Sequence, residues 1–195
     1  YLKGRLVSMG AEQAQNFHDI TQAYEDLAYK YGLWDAAEII TEYGCSDDSF
    51  IDFRAWLIAQ GKEVYLAALA DPDSLAEVEP YGDCSFEQMS YVGEYAYKQL
   101  TGKSAYDQTD QARYETLLAE LEQDIVYKGG IEFPREGPEL KQYLPRLCAA
   151  HPDWDGKTRW NVQQKEMRDL IHAGKDYDRR QTSNKKKRSR GGEAR

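Results

Sequence analysis

Residues 44–78 read GCSDDSFIDFRAWLIAQGKEVYLAALADPDSLAEV, and their punctuation spells two short helices. Ser46 stands where an N-cap belongs. Asp47 and Asp48 follow in the first turn, where carboxylates meet unpaired amides and the positive end of the helix macrodipole. Phe50, Phe53, Trp56 and Leu57 recur at steps of three and four, the spacing of one buried stripe, and Gly61 closes the run. A second helix over 62–70 is expected to turn Val64, Ala67 and Ala68 inward. It stops at Asp71-Pro72, because proline cannot continue it.

Outward from this stretch the helical signal persists. Ser8 is expected to cap a helix whose Phe17, Ile20, Tyr24, Leu27, Ala28 and Tyr31 share one face, with Gly32 as its end. The next helix runs through Leu33, Trp34, Ala36, Ala37 and Ile40 to Gly44, and no proline precedes Pro72. Ser85 and Gln88 have capping-box spacing ahead of Met89, Val92, Ala96 and Leu100, and Gly102 is the stop. Asp107 or Thr109 is expected to cap the helix with the clearest amphipathic stripe, Tyr114, Leu117, Leu118, Leu121 and Ile125. Gly129-Gly130 breaks it, and Ile131-Glu132-Phe133 is the one extended piece the pattern offers. Pro138 suits a helix start, and Pro145 interrupts or restarts the helix that carries Leu140, Tyr143, Leu144 and Leu147. From Trp160 to Ala173 a further helix has a modest apolar face. The expected fold is all-α, a domain of six or seven helices over 1–150, a helical extension over 151–177 and a disordered basic tail over 178–195.

The composition of this 195-residue chain, 41% hydrophobic and 30% charged, is that of a globular protein rather than a disordered or disulfide-stapled one. No apolar run reaches the roughly 18 residues that a membrane span needs, so no membrane partner is expected. The chain opens at Tyr1 rather than Met and shows no signal-peptide pattern. Cys45, Cys84 and Cys148 lie far apart without a CxxC pair, which suits reduced thiols in a cytoplasmic protein. The net charge of −9 hides two blocks. Residues 178–195 hold eight Lys/Arg against two acids, a balance of +6, which leaves −15 for residues 1–177. Such a body repels nucleic acid. The tail has two readings, a solvated terminus or a nucleic-acid contact through Lys185, Lys186, Lys187, Arg188 and Arg190.

Catalytic signatures are sparse. The chain has no phosphate-binding glycine loop, nucleophile elbow or HExxH motif. His18, His151 and His172 are scattered, with only Asp169 one turn from His172, and no cofactor or metal is expected. Asp153 to Gly156 resembles a fragment of a calcium loop but lacks its third acidic position and closing glutamate. The acid pairs Glu38/Glu42 and Asp48/Asp52 read as solvated faces.

Arg54 carries the sharpest chemistry. It sits one turn from Phe50 and beside Phe53, so its stem runs along apolar surface and its guanidinium needs carboxylates. Asp47, Asp48, Asp71 and Asp73 are the candidates. One reading is a structural ion-pair network that pins the helix after Ser46 to the turn after Ala70. The other is a polar pocket in which Arg54 holds an anionic ligand, with Trp34, Trp56 and Tyr65 as its walls.

The run from Leu33 to Ala76 also resembles an uncharacterised, mainly bacterial family, domain of unknown function 4240. The resemblance rests on Trp34, Gly44-Cys45-Ser46-Asp47-Asp48, Phe53-Arg54, Trp56-Leu57-Ile58, Gln60-Gly61, Val64-Tyr65 and Ala70-Asp71-Pro72-Asp73-Ser74-Leu75. Looser similarity extends over about residues 6–150, where Leu144-Pro145-Arg146-Leu147 resembles the family's usual ending. Members carry a short helix ahead of where this chain starts, so the resemblance implies missing sequence before Tyr1. It implies a fold but no reaction, and some members stand beside domains described as regulatory, including molybdenum-metabolism-regulator-like proteins. The first functional expectation is a non-catalytic helical module that binds another protein. The second is a regulatory or nucleic-acid-associated factor using the tail, and the third an enzyme with a polar site around Cys45–Asp48 and Arg54.

Overall fold

The described residues form helices and turns, with no strand among them. The computed structural model describes residues 1–41, 44–79, 83–154, 156 and 164–191, the side chains at 164–165 and 186–191 excepted. In chain order the helices are α1 (Leu2–Met9), α2 (Ala11–Leu27), α3 (Tyr31–Ile40), α4 (Asp47–Ala59) and α5 (Lys62–Ala70). A 3-10 turn (Pro72–Glu77) follows, then α6 (Glu87–Thr101), a second 3-10 turn (Tyr106–Gln108), α7 (Gln111–Glu122), α8 (Gly137–Tyr143), α9 (Pro145–Ala150) and α10 (Gln164–Gly191). The division is finer than six or seven helices because Gly10 sets off a separate α1 and Pro145 splits α8 from α9. None of the described helices is long and apolar enough to cross a membrane.

The core has two parts. The larger gathers Trp34, Phe50, Phe53, Leu57 and Leu69 from α3, α4 and α5, Leu144 from the α8–α9 junction and Leu147 from α9, and the smaller joins Leu6, Ala14 and Ala96 from α1, α2 and α6. Helix α3 is buried all round from Gly32 to Ile39, as a short helix apolar on most sides must be. The closest approaches fall at glycines. A Cβ on Gly93 of α6 would sit 2.9 Å from the His18 backbone of α2, and one on Gly32 would sit 2.7 Å from the Tyr143 hydroxyl.

Several local expectations give way to packing. Ser8 lies inside α1 and Gly32 inside α3, whose amide there donates to Ile131 O at 2.7 Å. The inner face of α2 includes His18, Thr21 and Glu25, Phe17 is half-buried against the smaller core, and Ile20 is 41% exposed, because α2 is packed between α6, α4 and α7. Tyr65, Ala68 and Leu69 form the buried face of α5, and Ala67 is exposed. Ser85 does not close a capping box; its hydroxyl donates to Asp52 instead. The inner stripe of α6 is the small set Ser90, Gly93 and Ala96, which lets α2 come close, while Leu100 faces out. Asp110 caps α7 by accepting from the Arg113 amide at 2.9 Å. Ile131 to Phe133 form a turn rather than an extended piece.

Helix α10 packs on that turn through Gly174, against Phe133, and Tyr177, whose ring lies 5.7 Å from Phe133, and its Met167 and Ile171 are buried. From Asp178 to Lys185 every side chain is exposed, as befits a segment with nothing apolar to bury, and the backbone stays helical to Gly191. The side chains of Lys186, Lys187, Arg188 and Arg190, with Trp160, Glu42 and Asp155, lie outside the described residues.

Candidate functional site

Helix α4 begins as its sequence requires: the Ser49 amide donates to the Ser46 hydroxyl oxygen at 3.2 Å, with Asp47 and Asp48 in the first turn. Its stripe then carries Arg54 inward to 6% exposure. There the guanidinium meets carbonyls rather than the expected aspartates. Nη1 donates to Glu25 O at 2.8 Å and Nε to Phe50 O at 3.3 Å, while Cζ lies 4.8 Å from the Tyr29 ring and 5.1 Å from that of Phe50. The Glu25 carboxylate beside it accepts from the Ser90 hydroxyl of α6 and from Gln22. Burial raises the Glu25 pKa despite Ser90 and Arg54, and burial lowers that of Arg54 despite Glu25. The neighbourhood ties α2, α4 and α6 together. Cys45 is enclosed beside it, its thiol pushed far up by burial and by Glu38, so it stays protonated and a poor nucleophile.

Two of the four aspartates expected at Arg54, Asp71 and Asp73, pair with another arginine. Arg146, at the start of α9, reaches Asp71 through Nη2 at 2.9 Å, Asp73 through Nε at 3.2 Å and Glu77 through Nη1 at 2.5 Å. Asp73 is nearly enclosed, and its carboxylate also accepts from the Arg146 and Leu147 amides at 3.0 and 2.9 Å. It thereby caps α9 from across the fold, where a carboxylate complements the free amides. Lys128 adds a 2.7 Å pair to Asp71. Burial pulls the Asp71 carboxyl up, but the Lys128 hydrogen bond and charge, with Arg146, outweigh it and hold its pKa below the ordinary value. The Asp71-Pro72-Asp73 and Leu144-Pro145-Arg146-Leu147 motifs are two halves of one clamp.

The remaining candidates scatter. Trp34 is core, stacked on Phe50 at 4.8 Å, its Nε1–H donating to Cys45 O at 2.7 Å. Asp47 accepts from the Tyr29 hydroxyl at 3.3 Å, and Asp48 is exposed. Trp56 and Tyr65 do wall pockets, but two different ones. Tyr65 lines a small pit of about 100 Å³ beside Leu121, under the exposed Lys62–Asp124 ion pair. Trp56 borders a pocket of about 410 Å³ between the 3-10 turn after Asp71 and the ends of α3 and α9, with His151 at its edge. Asp169 and His172 are both exposed on α10.

Sequence reasoning missed several buried acids, the deepest of them on α3. Asp35 and Glu38, one turn apart on α3, have no exposed surface, although Glu38 was read as solvated. Burial raises the Asp35 pKa well above the ordinary carboxylate value, against the opposing charge and backbone amide of Arg135. Two acids within the apolar run LWDAAEII were the available signal.

Helix α7 differs from the rest. No residue of it is buried, although its stripe was the clearest in the chain. Leu118 and Leu121 touch the core, while Tyr114 and Leu117 line a groove of about 450 Å³ against α2, where Ile20 is exposed. Two polar ties hold α7 there, Tyr114 Oη to Asp26 at 2.7 Å and Arg113 Nη2 to Asn16 at 2.6 Å.

A family model described as protein of unknown function (DUF4240) matches residues 1–99, which takes in α1 to nearly the end of α6 and leaves Arg146 beyond the matched stretch. No curated protein and no solved structure matches.

Proposed function

We propose that this chain, which belongs to the DUF4240 family, is a non-catalytic helical module that binds another protein along the α2–α7 edge. The observation that carries this reading is the groove between α2 and α7, which half-buried Leu117 and Tyr114 line beside the exposed Ile20. Apolar surface at a groove with a polar rim is the usual signature of a partner's seat. The arginine centre supports the same reading from the other side, since Arg54 is buried and gives two hydrogen bonds to carbonyls of its own fold.

Affinity capture from native extract with three forms of the full chain tests it. The wild-type chain and Arg54→Lys should retain one stoichiometric partner, and the double variant Ile20→Glu/Leu117→Glu should lose it while keeping its melting temperature. No stoichiometric partner, or one that survives the double variant, overturns the reading.

The exposure of every side chain from Asp178 to Lys185, ahead of the Lys/Arg run, favours a second reading, nucleic-acid association through α10. Duplex binding should then fall steeply with salt and vanish when residues 179–195 are deleted. Binding that is insensitive to the deletion would exclude this route.

A further inference from the structure

The walls of the groove between α2 and α7 specify the kind of chain that would fill it. Resting on the protein-binding reading above, we propose that its occupant is a basic amphipathic helix, aliphatic on one face and lined with Lys or Arg along the flanks. The floor is apolar: Ile20 is 41% exposed, and half-buried Leu117 and Tyr114 stand beside it. The pit beside Tyr65 lies one turn further along both helices, because Tyr24 follows Ile20 and Leu121 follows Leu117 at i+4, and both line it. Two seats a turn apart match anchors at i and i+4 of a partner helix, the helix-in-groove mode of recognition. An added strand would have nothing to pair with, since the described residues include no sheet.

Charge decides the flanks. Residues 11–27 and 110–124, which form the two walls, hold seven exposed acids, among them Glu115, Glu120 and Asp124, against one basic residue, Arg113. Arg113 is engaged with Asn16 Oδ1 at 2.6 Å, and Lys62 beside the pit is paired with Asp124. A cleft of one sign favours a partner of the other. A second copy of this chain docking edge to edge would set two acidic walls against each other, and like charges repel. The chain's own segment 178–195 has the right sign, eight Lys/Arg against two acids, but no large apolar residue to cover Ile20 and Leu117. The occupant must supply both the aliphatic face and the positive flank.

Fluorescence anisotropy of a labelled peptide titrated with the full chain tests this. The probe is Ac-AKKLAKKLAKLKAKLK-NH2, whose leucines share one helical face, compared with a version carrying Glu for Lys and a version carrying Gln for Leu. The lysine–leucine peptide should bind, and less tightly as salt is raised. Both other versions should bind at least about tenfold more weakly. Glu120→Lys should weaken binding about two- to tenfold, because the reversal removes an exposed attraction and adds a repulsion, and Leu117→Ala should weaken it by a similar factor. The same reversal at Glu79, which lines the pocket at the ends of α3 and α9, should leave binding within about twofold. Equal binding of the lysine and glutamate peptides, or of the leucine and glutamine peptides, overturns the proposal. So do equal losses from Glu120→Lys and Glu79→Lys, and no anisotropy change up to about 1 mM of the chain. Should Leu117→Ala fail to fold, the exposed Glu120 position still decides. Capture from extract separates the two readings. A partner released by Ile20→Glu/Leu117→Glu but held by Glu120→Lys overturns the basic helix and leaves the edge as a seat, whereas a partner that neither variant releases overturns both.

Discussion

Arg54 and Arg146 show how one side chain type serves a fold in two physical regimes. Arg54 is almost sealed among α2, α4 and α6, gives hydrogen bonds to two backbone carbonyls and lies near two aromatic rings. Arg146 keeps 44% of its side chain in solvent and spreads three nitrogens over three carboxylates. The first is a tie whose removal leaves groups stranded in low dielectric, while the second is a clamp whose charges water and salt can screen. The difference teaches that counting nearby carboxylates does not locate a buried guanidinium. Arg54 found carbonyls at its depth, and two of the four candidate aspartates, Asp71 and Asp73, went to the arginine at the surface.

The largest effect should therefore come from the sealed tie. Arg54→Ala strands the Glu25 carbonyl, removes the charge beside the Glu25 carboxylate and opens space near Phe50, for an expected loss of about 2–4 kcal/mol by urea unfolding. Arg54→Lys should recover part of it, since an ammonium reaches one carbonyl more easily than two. An unchanged urea midpoint for Arg54→Ala would erase the distinction between the two arginines.

On the clamp side the most costly single change should be Asp73→Ala. It uncaps the Arg146 and Leu147 amides and unpairs Arg146 Nε, for about 1–3 kcal/mol in the same assay. Arg146→Ala should cost less, and the loss should shrink as salt is raised. A loss from Arg146→Ala larger than that from Arg54→Ala would invert the comparison.

How much of this was legible in the sequence follows the range of the forces involved. The α4 cap at Ser46, the stripe Phe50, Phe53, Trp56 and Leu57, and the stop at Asp71-Pro72 are local matters of spacing and backbone chemistry, and they could be read from neighbouring residues alone. The partner of Asp73 stands 73 residues away, so only the existence of the Leu144-Pro145-Arg146-Leu147 motif, and not its target, was visible. The stripe of α7 was read with the right period, but whether a helix finds a cover depends on its neighbours. Asp35, Glu38 and Glu25 escaped because charged residues default to solvent, and burying them takes a surrounding bundle that no local pattern announces.

The smallest expected effects are in pH dependence, and the two regions should differ in sign. Glu25 has a raised pKa in the folded state, so its contribution is full at low pH and declines as pH rises from the ordinary carboxylate range through that raised value. Asp71 has a lowered pKa, so its contribution is present above the ordinary range and is lost as pH falls through the lowered value. Melting curves of Glu25→Gln should lose the first slope, and those of Asp71→Asn should lose part of the second. Identical pH profiles for both variants and the wild-type chain would show that neither group is coupled to folding as its surroundings demand.

The central claim is that Arg54 is closed into the scaffold and unavailable to a ligand, and the exchange of its own Nε–H reports on that most directly. In ¹⁵N spectra of the wild-type chain the Arg54 Nε–H should exchange with water far more slowly than that of Arg146, and acetate or sulfate should leave it unshifted. An Arg54 Nε–H that exchanges as fast as that of Arg146, or moves when the anion is added, would contradict the claim and return Arg54 to the list of ligand-binding residues.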